Sequence, residues 1–137
     1  MTRNLEKMME FGEKLHNIRI SKNLSQEELA EKTGISRRSI QNYESGKMLP
    51  KKRETYAVLA EALGVEESVL LNRDIDFVLR ANEQYGGDAM RQAMDLVADV
   101  KALWAGGEME EEDMDEIMRA LQEAYLEAKQ KKCARHG

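Results

Sequence analysis

The sequence predicts an all-α protein, and three features of its 137 residues point that way. Apolar residues recur at spacings of three and four almost throughout, the period of one helix face. The β-branched alternation that marks a half-buried strand has no obvious place. Serine, asparagine and glycine interrupt the pattern where helices start and stop, and the only proline is Pro50. The expected architecture is a five-helix domain over residues 1–73 followed by a helical hairpin region over 74–137.

A first helix is expected from about Met8 to Lys22, with Phe11, Leu15 and Ile18 on one face and Asn23 ending it. Ser25 starts the second. Ser25 and Glu28 stand at capping-box spacing, where hydroxyl and carboxylate satisfy each other's backbone N–H groups. Leu29 and Ala30 face inward, and Gly34 stops the helix as a left-handed cap. Ser36 caps a third helix over Arg37 to about Glu44, with Ile40 and Tyr43 inside. A fourth runs from about Lys52 to Leu63 on Tyr56, Leu59, Ala60 and Leu63, and a short fifth covers Glu66–Leu71.

Beyond that point the pattern lengthens. Asp76–Gln84 reads as helical, Gly86-Gly87 as a break, and Asp88 as the next N-cap. Met90, Ala93, Met94, Val97, Val100, Leu103 and Trp104 form one apolar stripe. Met114, Ile117, Met118, Leu121, Tyr125 and Ala128 form another, beyond Gly106-Gly107 and an acidic run. Two such helices joined by a short loop make an antiparallel hairpin. Acid at the start of the last helix and Lys129, Lys131 and Lys132 at its end suit the helix dipole.

Charge separates the two regions. The whole chain carries a formal net charge of −5, an unpromising value for a nucleic-acid binder. Residues 1–73 hold 13 Lys+Arg against 11 Asp+Glu, a net of +2, while residues 74–137 hold 8 against 15, a net of −7. The basic cluster therefore stands apart from the acid, which would resist approach to phosphate and limit non-specific binding.

The stretch QEELAEKTGISRRSIQNY, Gln26 to Tyr43, meets the steric demands of two helices crossing steeply over a short turn. Ala30 is small where the helices approach, Gly34 accepts a positive φ in the turn, and Ile40 anchors the second helix. The longer segment LSQEELAEKTGISRRSIQNYESGKMLPKKRETYAVLAEALGV resembles the phage Cro/repressor-type helix-turn-helix domain, the XRE family. The resemblance covers about Glu13 to Leu71. It rests on LSQEELA, the Gly34-Ile35-Ser36 turn, Ile40, Tyr43, Glu44–Lys47, Pro50 and the closing LAEALGV. The stretch between Pro50 and Leu63 is about a residue longer than the commonest form, away from the reading helix.

The resemblance implies a lambda-repressor-like DNA-binding domain whose third helix enters the major groove of double-stranded DNA. Arg37, Arg38 and Asn42, with Ser39 nearby, are then the base-reading candidates. Arginine can pair with guanine N7 and O6, and asparagine matches adenine. The plain alternative leaves Arg37 and Arg38 on phosphates or in solvent. Gln26 at a helix start, Lys47, Lys52 and Arg53 are the phosphate-contact candidates, Lys51 a further one, unless the last three merely form an exposed turn. The family also implies an Arg19–Glu44 pair, which either turns Arg19 toward the DNA backbone or is a scaffold ion pair.

One domain presents one reading helix, so a homodimer on a palindromic operator is expected, with repression by occlusion as the default. The hairpin, residues 88–128, would pack on its partner's hairpin as a four-helix bundle or back onto its own domain. Its methionines read as gap-filling core. A rival class is an antitoxin-like or phage-type regulator whose hairpin binds a partner protein, with autoregulatory DNA binding. No catalytic residue, cofactor or metal is expected: His16 and His136 are the only histidines, and Cys133 with His136 makes one C-x-x-H without a second pair. A single cysteine, no apolar run near a membrane span and no secretory pattern predict a cytoplasmic protein.

Overall fold

Local capping chemistry sets the boundaries of the two central helices of the first unit. The computed structural model describes residues 11–105, 107 and 109–136, with side chains described up to residue 132. Helix α1 spans Phe11–Ser21; the expected start near Met8 lies outside the described residues. Asn23 follows it at φ 58°, a left-handed conformation that asparagine tolerates better than most residues. Helices α2 and α3 span Gln26–Thr33 and Arg37–Ser45. Ser25 Oγ accepts from the Glu28 N–H at 3.0 Å, and the Glu28 carboxylate accepts from the Ser25 N–H at 2.9 Å, so the capping box is complete. Ser36 Oγ caps α3 by accepting from the Ser39 N–H at 3.1 Å. Between the two helices Gly34 sits at φ 77°. A Cβ there would meet nothing within 4 Å, so glycine is needed for its backbone conformation and not for space.

Helices α4 (Arg53–Leu63), α5 (Glu67–Leu70), α6 (Arg73–Tyr85), α7 (Gly87–Trp104) and α8 (Glu111–His136) complete the all-α fold. Among the described residues there is no strand, and no helix is long and apolar enough to cross a membrane. The chain divides into two compact units, one ending at Leu79 and the other beginning at Arg80.

The first unit is built on an aromatic cluster. Phe11 stands edge-on to Tyr43 and Tyr56, with ring centroids 6.2 Å and 5.2 Å away. Leu15, Leu29, Ile40, Leu59 and Leu63 close around it, each buried. Tyr56 Oη donates to the Pro50 carbonyl at 2.8 Å, and burial pushes its phenol well above the ordinary range. The closest backbone approach involves a residue whose role the sequence reading missed. A Cβ on Gly12 would lie 2.6 Å from the Tyr43 carbonyl oxygen and 2.9 Å from that of Glu44. Helix α1 therefore crosses the C-terminal half of α3 at a distance only glycine allows.

The second unit contains the hairpin of α7 and α8. Ala89, Met90, Ala93, Val97, Ala98 and Val100 are buried on α7, and Met118 and Gln122 on α8. Tyr125 Oη donates to Gln92 Oε1 at 2.8 Å, with the Ala89 carbonyl at 3.3 Å.

Three expectations need correction. Helix α6 begins at Arg73 and not Asp76, because Asn72 Oδ1 accepts from the Ile75 N–H at 2.8 Å and caps it earlier. Asp88 is not the N-cap of α7: Gly86 is, at φ 92°, and Asp88 stands in the first turn with its charge still on the favourable end of the dipole. The apolar stripes are also narrower than expected. Leu103 is 81% exposed, and Ile117 and Leu121 remain 39% and 37% exposed while polar Gln122 is buried. Helix α8 thus turns Met118, Gln122 and Tyr125 inward and leaves part of its apolar pattern outside.

Candidate nucleic-acid interface

Ser36 and Gly46 bracket α3 and leave one of its faces bare. Ile40 and Tyr43 are buried. At 100° per residue, Arg38, Gln41, Asn42 and Ser45 fall on the opposite face. Arg37, Arg38, Gln41 and Ser45 are exposed, and Asn42 is half-buried. Arg37 lies on the flank of this face. Ser36 Oγ lies 2.9 Å from Ser39 Oγ, which ties the half-buried Ser39 hydroxyl to the start of the helix.

An open polar groove of about 490 Å³ runs beside the C-terminal half of α3. Gln26, Gln41, Asn42, Glu44, Ser45 and Lys47 line it. The fold thus brings three of the expected contacts, Gln26, Asn42 and Lys47, into one groove. Gln41 is an addition: its place three residues after Arg38 on a helix was the signal that could have found it. Lys51 and Lys52 are exposed before α4 and line no part of this groove.

Behind the groove lies a polar knot. The Arg19 and Glu44 side chains retain only 8% and 5% exposure. Arg19 Nε donates to Glu44 Oε2 at 2.6 Å, Nη2 to Oε1 at 2.9 Å, and Nη1 to the Leu24 carbonyl at 2.7 Å. Gln26 Nε2 donates to Glu44 Oε1 at 3.2 Å, and His16 Nδ1 lies 2.9 Å from the same oxygen. Burial alone would raise the Glu44 carboxyl, but the hydrogen bonds from Arg19, His16 and Gln26 outweigh it and hold the group below its ordinary 4.5. One carboxylate therefore joins α1, the start of α2 and α3.

Two of the expected phosphate contacts are engaged within the protein. Arg19 is buried, with its fork directed at Glu44 and Leu24, which is the scaffold reading of the pair. Arg53 Nη1 pairs with Asp76 Oδ1 at 2.6 Å, linking α4 to α6 within the first unit. Each cation thus has a carboxylate partner inside the protein.

The domain of which this face is part is recognisable. A model of the helix-turn-helix domain matches residues 12–74. Residues 12–74 form a helix-turn-helix domain. Its two central helices are α2 and α3, and the groove lies at their open side. The HTH-type transcriptional activator BcrR of Enterococcus faecalis is 55% identical over 42 residues. That match takes in 31% of this chain, which spans only 21% of the relative's length. No solved structure matches. The side chains of Cys133 and His136 lie outside the described residues. Among those described, no group of three or more His, Cys, Asp or Glu is placed to hold a metal ion.

Proposed function

We propose that this protein is a transcriptional regulator that binds double-stranded DNA sequence-specifically through α3. The observation that carries the reading is the exposed face of Arg38, Gln41, Asn42 and Ser45, held on a helix-turn-helix domain by the buried Arg19–Glu44 knot. In the major groove Arg38 reads a guanine and Asn42 an adjacent adenine, with Arg37, Ser39 and Gln41 beside them. Lys47 and Lys52 contact phosphates and set register, and Gln26 offers a phosphate contact from the start of α2. Two copies on a palindromic operator double a readout that one helix confines to a few base pairs. Occlusion of a promoter makes the protein a repressor. The BcrR relative is a transcriptional activator, which favours activation as a second reading, and a promoter–reporter assay with and without the protein separates the two.

Selection of bound sequences from random DNA tests the core of this reading by yielding half-site, spacing and symmetry together. On the selected site, Arg38→Ala costs about 1–3 kcal/mol of discrimination and leaves binding to random DNA nearly unchanged. An equal loss on both DNAs makes Arg38 a phosphate contact and removes it from base reading.

A further inference from the structure

Helix α8 carries two apolar faces where a simple hairpin needs one. The inward face holds Met118, Gln122 and Tyr125, as described above. A second stripe of Ile117, Leu121, Ala124 and Ala128 lies about a quarter-turn away, at the four-three-four spacing of a helix–helix seam. All four are exposed, Ile117 by 39% and Leu121 by 37%. The stripe is graded in size, with its two large side chains toward the N-terminus and its two alanines toward the C-terminus. Its charges are graded too. Glu110, Glu111, Glu112, Asp113, Asp115 and Glu116 crowd one end of the helix, and Lys129, Lys131 and Lys132 stand at the other.

Both gradients are complementary to themselves when reversed. We infer that a second copy of this chain docks antiparallel on the Ile117–Ala128 stripe of α8, about a two-fold axis between Leu121 and Ala124. In that register Ile117 and Leu121 face Ala128 and Ala124 of the other copy, so large side chains meet small ones on both sides of the axis. Asp113 falls on the same flank as Lys131 of the other copy, whose Nζ stands 3.4 Å from the exposed Glu127 of its own helix, and the acidic end of each helix lies along the end of its mate that carries Lys129, Lys131 and Lys132. A two-fold interface requires one patch to complement itself, and the stripe does so in volume and in charge. A parallel arrangement would set acid against acid and leave the alanines facing each other. The inference deepens the dimer reading of the proposed function and rests on it.

Sedimentation equilibrium on the full chain, with no DNA present, tests it. The expected result is a dimer at micromolar concentration. Ala124→Glu alters an exposed side chain that the monomer fold does not bury, and it weakens the dimer by at least about tenfold. Asp113→Lys weakens it as well. Combining Asp113→Lys with Lys131→Asp and Lys132→Asp restores dimerisation toward the wild-type value, which a merely structural effect would not do. A dimer indifferent to Ala124→Glu, or a triple variant no better than Asp113→Lys alone, overturns the α8 face while leaving the dimer reading intact. A monomeric wild type overturns both and assigns the stripe to another protein. Half-site DNA binding, measured separately, responds to Arg38→Ala and not to Ala124→Glu, so failure of the DNA reading is distinct from either.

Discussion

The two units bury different polar groups and leave their exposed apolar residues in different patterns. In the first, a buried ion pair is fully met by Leu24, Gln26 and His16, and the large aromatic side chains are inside. In the second, a glutamine is buried in the hairpin. Both leave apolar side chains outside, Ile20, Met48, Val58 and Val69 dispersed over several elements of the first, and Ile117 and Leu121 one turn apart on α8 of the second. A domain that must hold one helix at a fixed attitude to a ligand needs internal completeness. A helix that leaves an apolar stripe outside has surface to offer a partner. Substitutions should therefore act through stability in the first unit and through association in the second.

The largest expected break comes from Arg19→Ala. It leaves Glu44 buried without its main partner and should cost about 3–5 kcal/mol in unfolding free energy, measured by urea titration. A loss within the range of surface substitutions would mean that the knot is an ornament of the fold. Next comes Gly12→Ala, whose new Cβ would stand 2.6 Å from a backbone oxygen. Overpacking of about 1–3 kcal/mol should outweigh the roughly 0.5–1 kcal/mol that alanine gains in a helix, and thermal melts read the difference. A more stable variant would show that α1 and α3 separate freely.

Acid sharpens the comparison further. The Glu44 carboxyl titrates below its ordinary 4.5 when folded, so its ionised form favours the native state. That stability is present at neutral pH and fades as pH falls below about 5 and on through the lowered folded value. Wild type should lose its advantage over Glu44→Gln across that window, as urea midpoints at descending pH would record. A constant gap would detach Glu44 from the acid sensitivity. The smallest effect is expected from Lys47→Ala, which touches neither core. It should lower the slope of log affinity against log salt by about one contact, and an unchanged slope would place Lys47 off the phosphate backbone.

Much of the first unit was legible because its signals are short-range. Ser25 with Glu28, Gly34 and Ser36 act on backbone groups within a few residues, so spacing alone located α2, the turn and α3. The inner positions Leu29, Ile40, Tyr56, Leu59 and Leu63 followed from helical period. The site was half legible. Helix register puts Arg38 and Asn42 away from Ile40 and Tyr43 without any knowledge of the rest of the chain. Register says nothing of Arg53, whose partner Asp76 lies 23 positions along the chain, and the Arg19–Glu44 pair, 25 positions apart, came only with the family resemblance.

The sequence by itself determined the all-α class, the capped pair of helices and the face that α3 turns outward, since caps and periodicity are properties of neighbouring residues. The tertiary structure decided that Arg53 pairs with Asp76, that Gly12 sits where two backbones nearly touch, and how the apolar residues of α8 divide between inside and outside. Those outcomes depend on distances between segments far apart in sequence, and a local pattern carries no information about them.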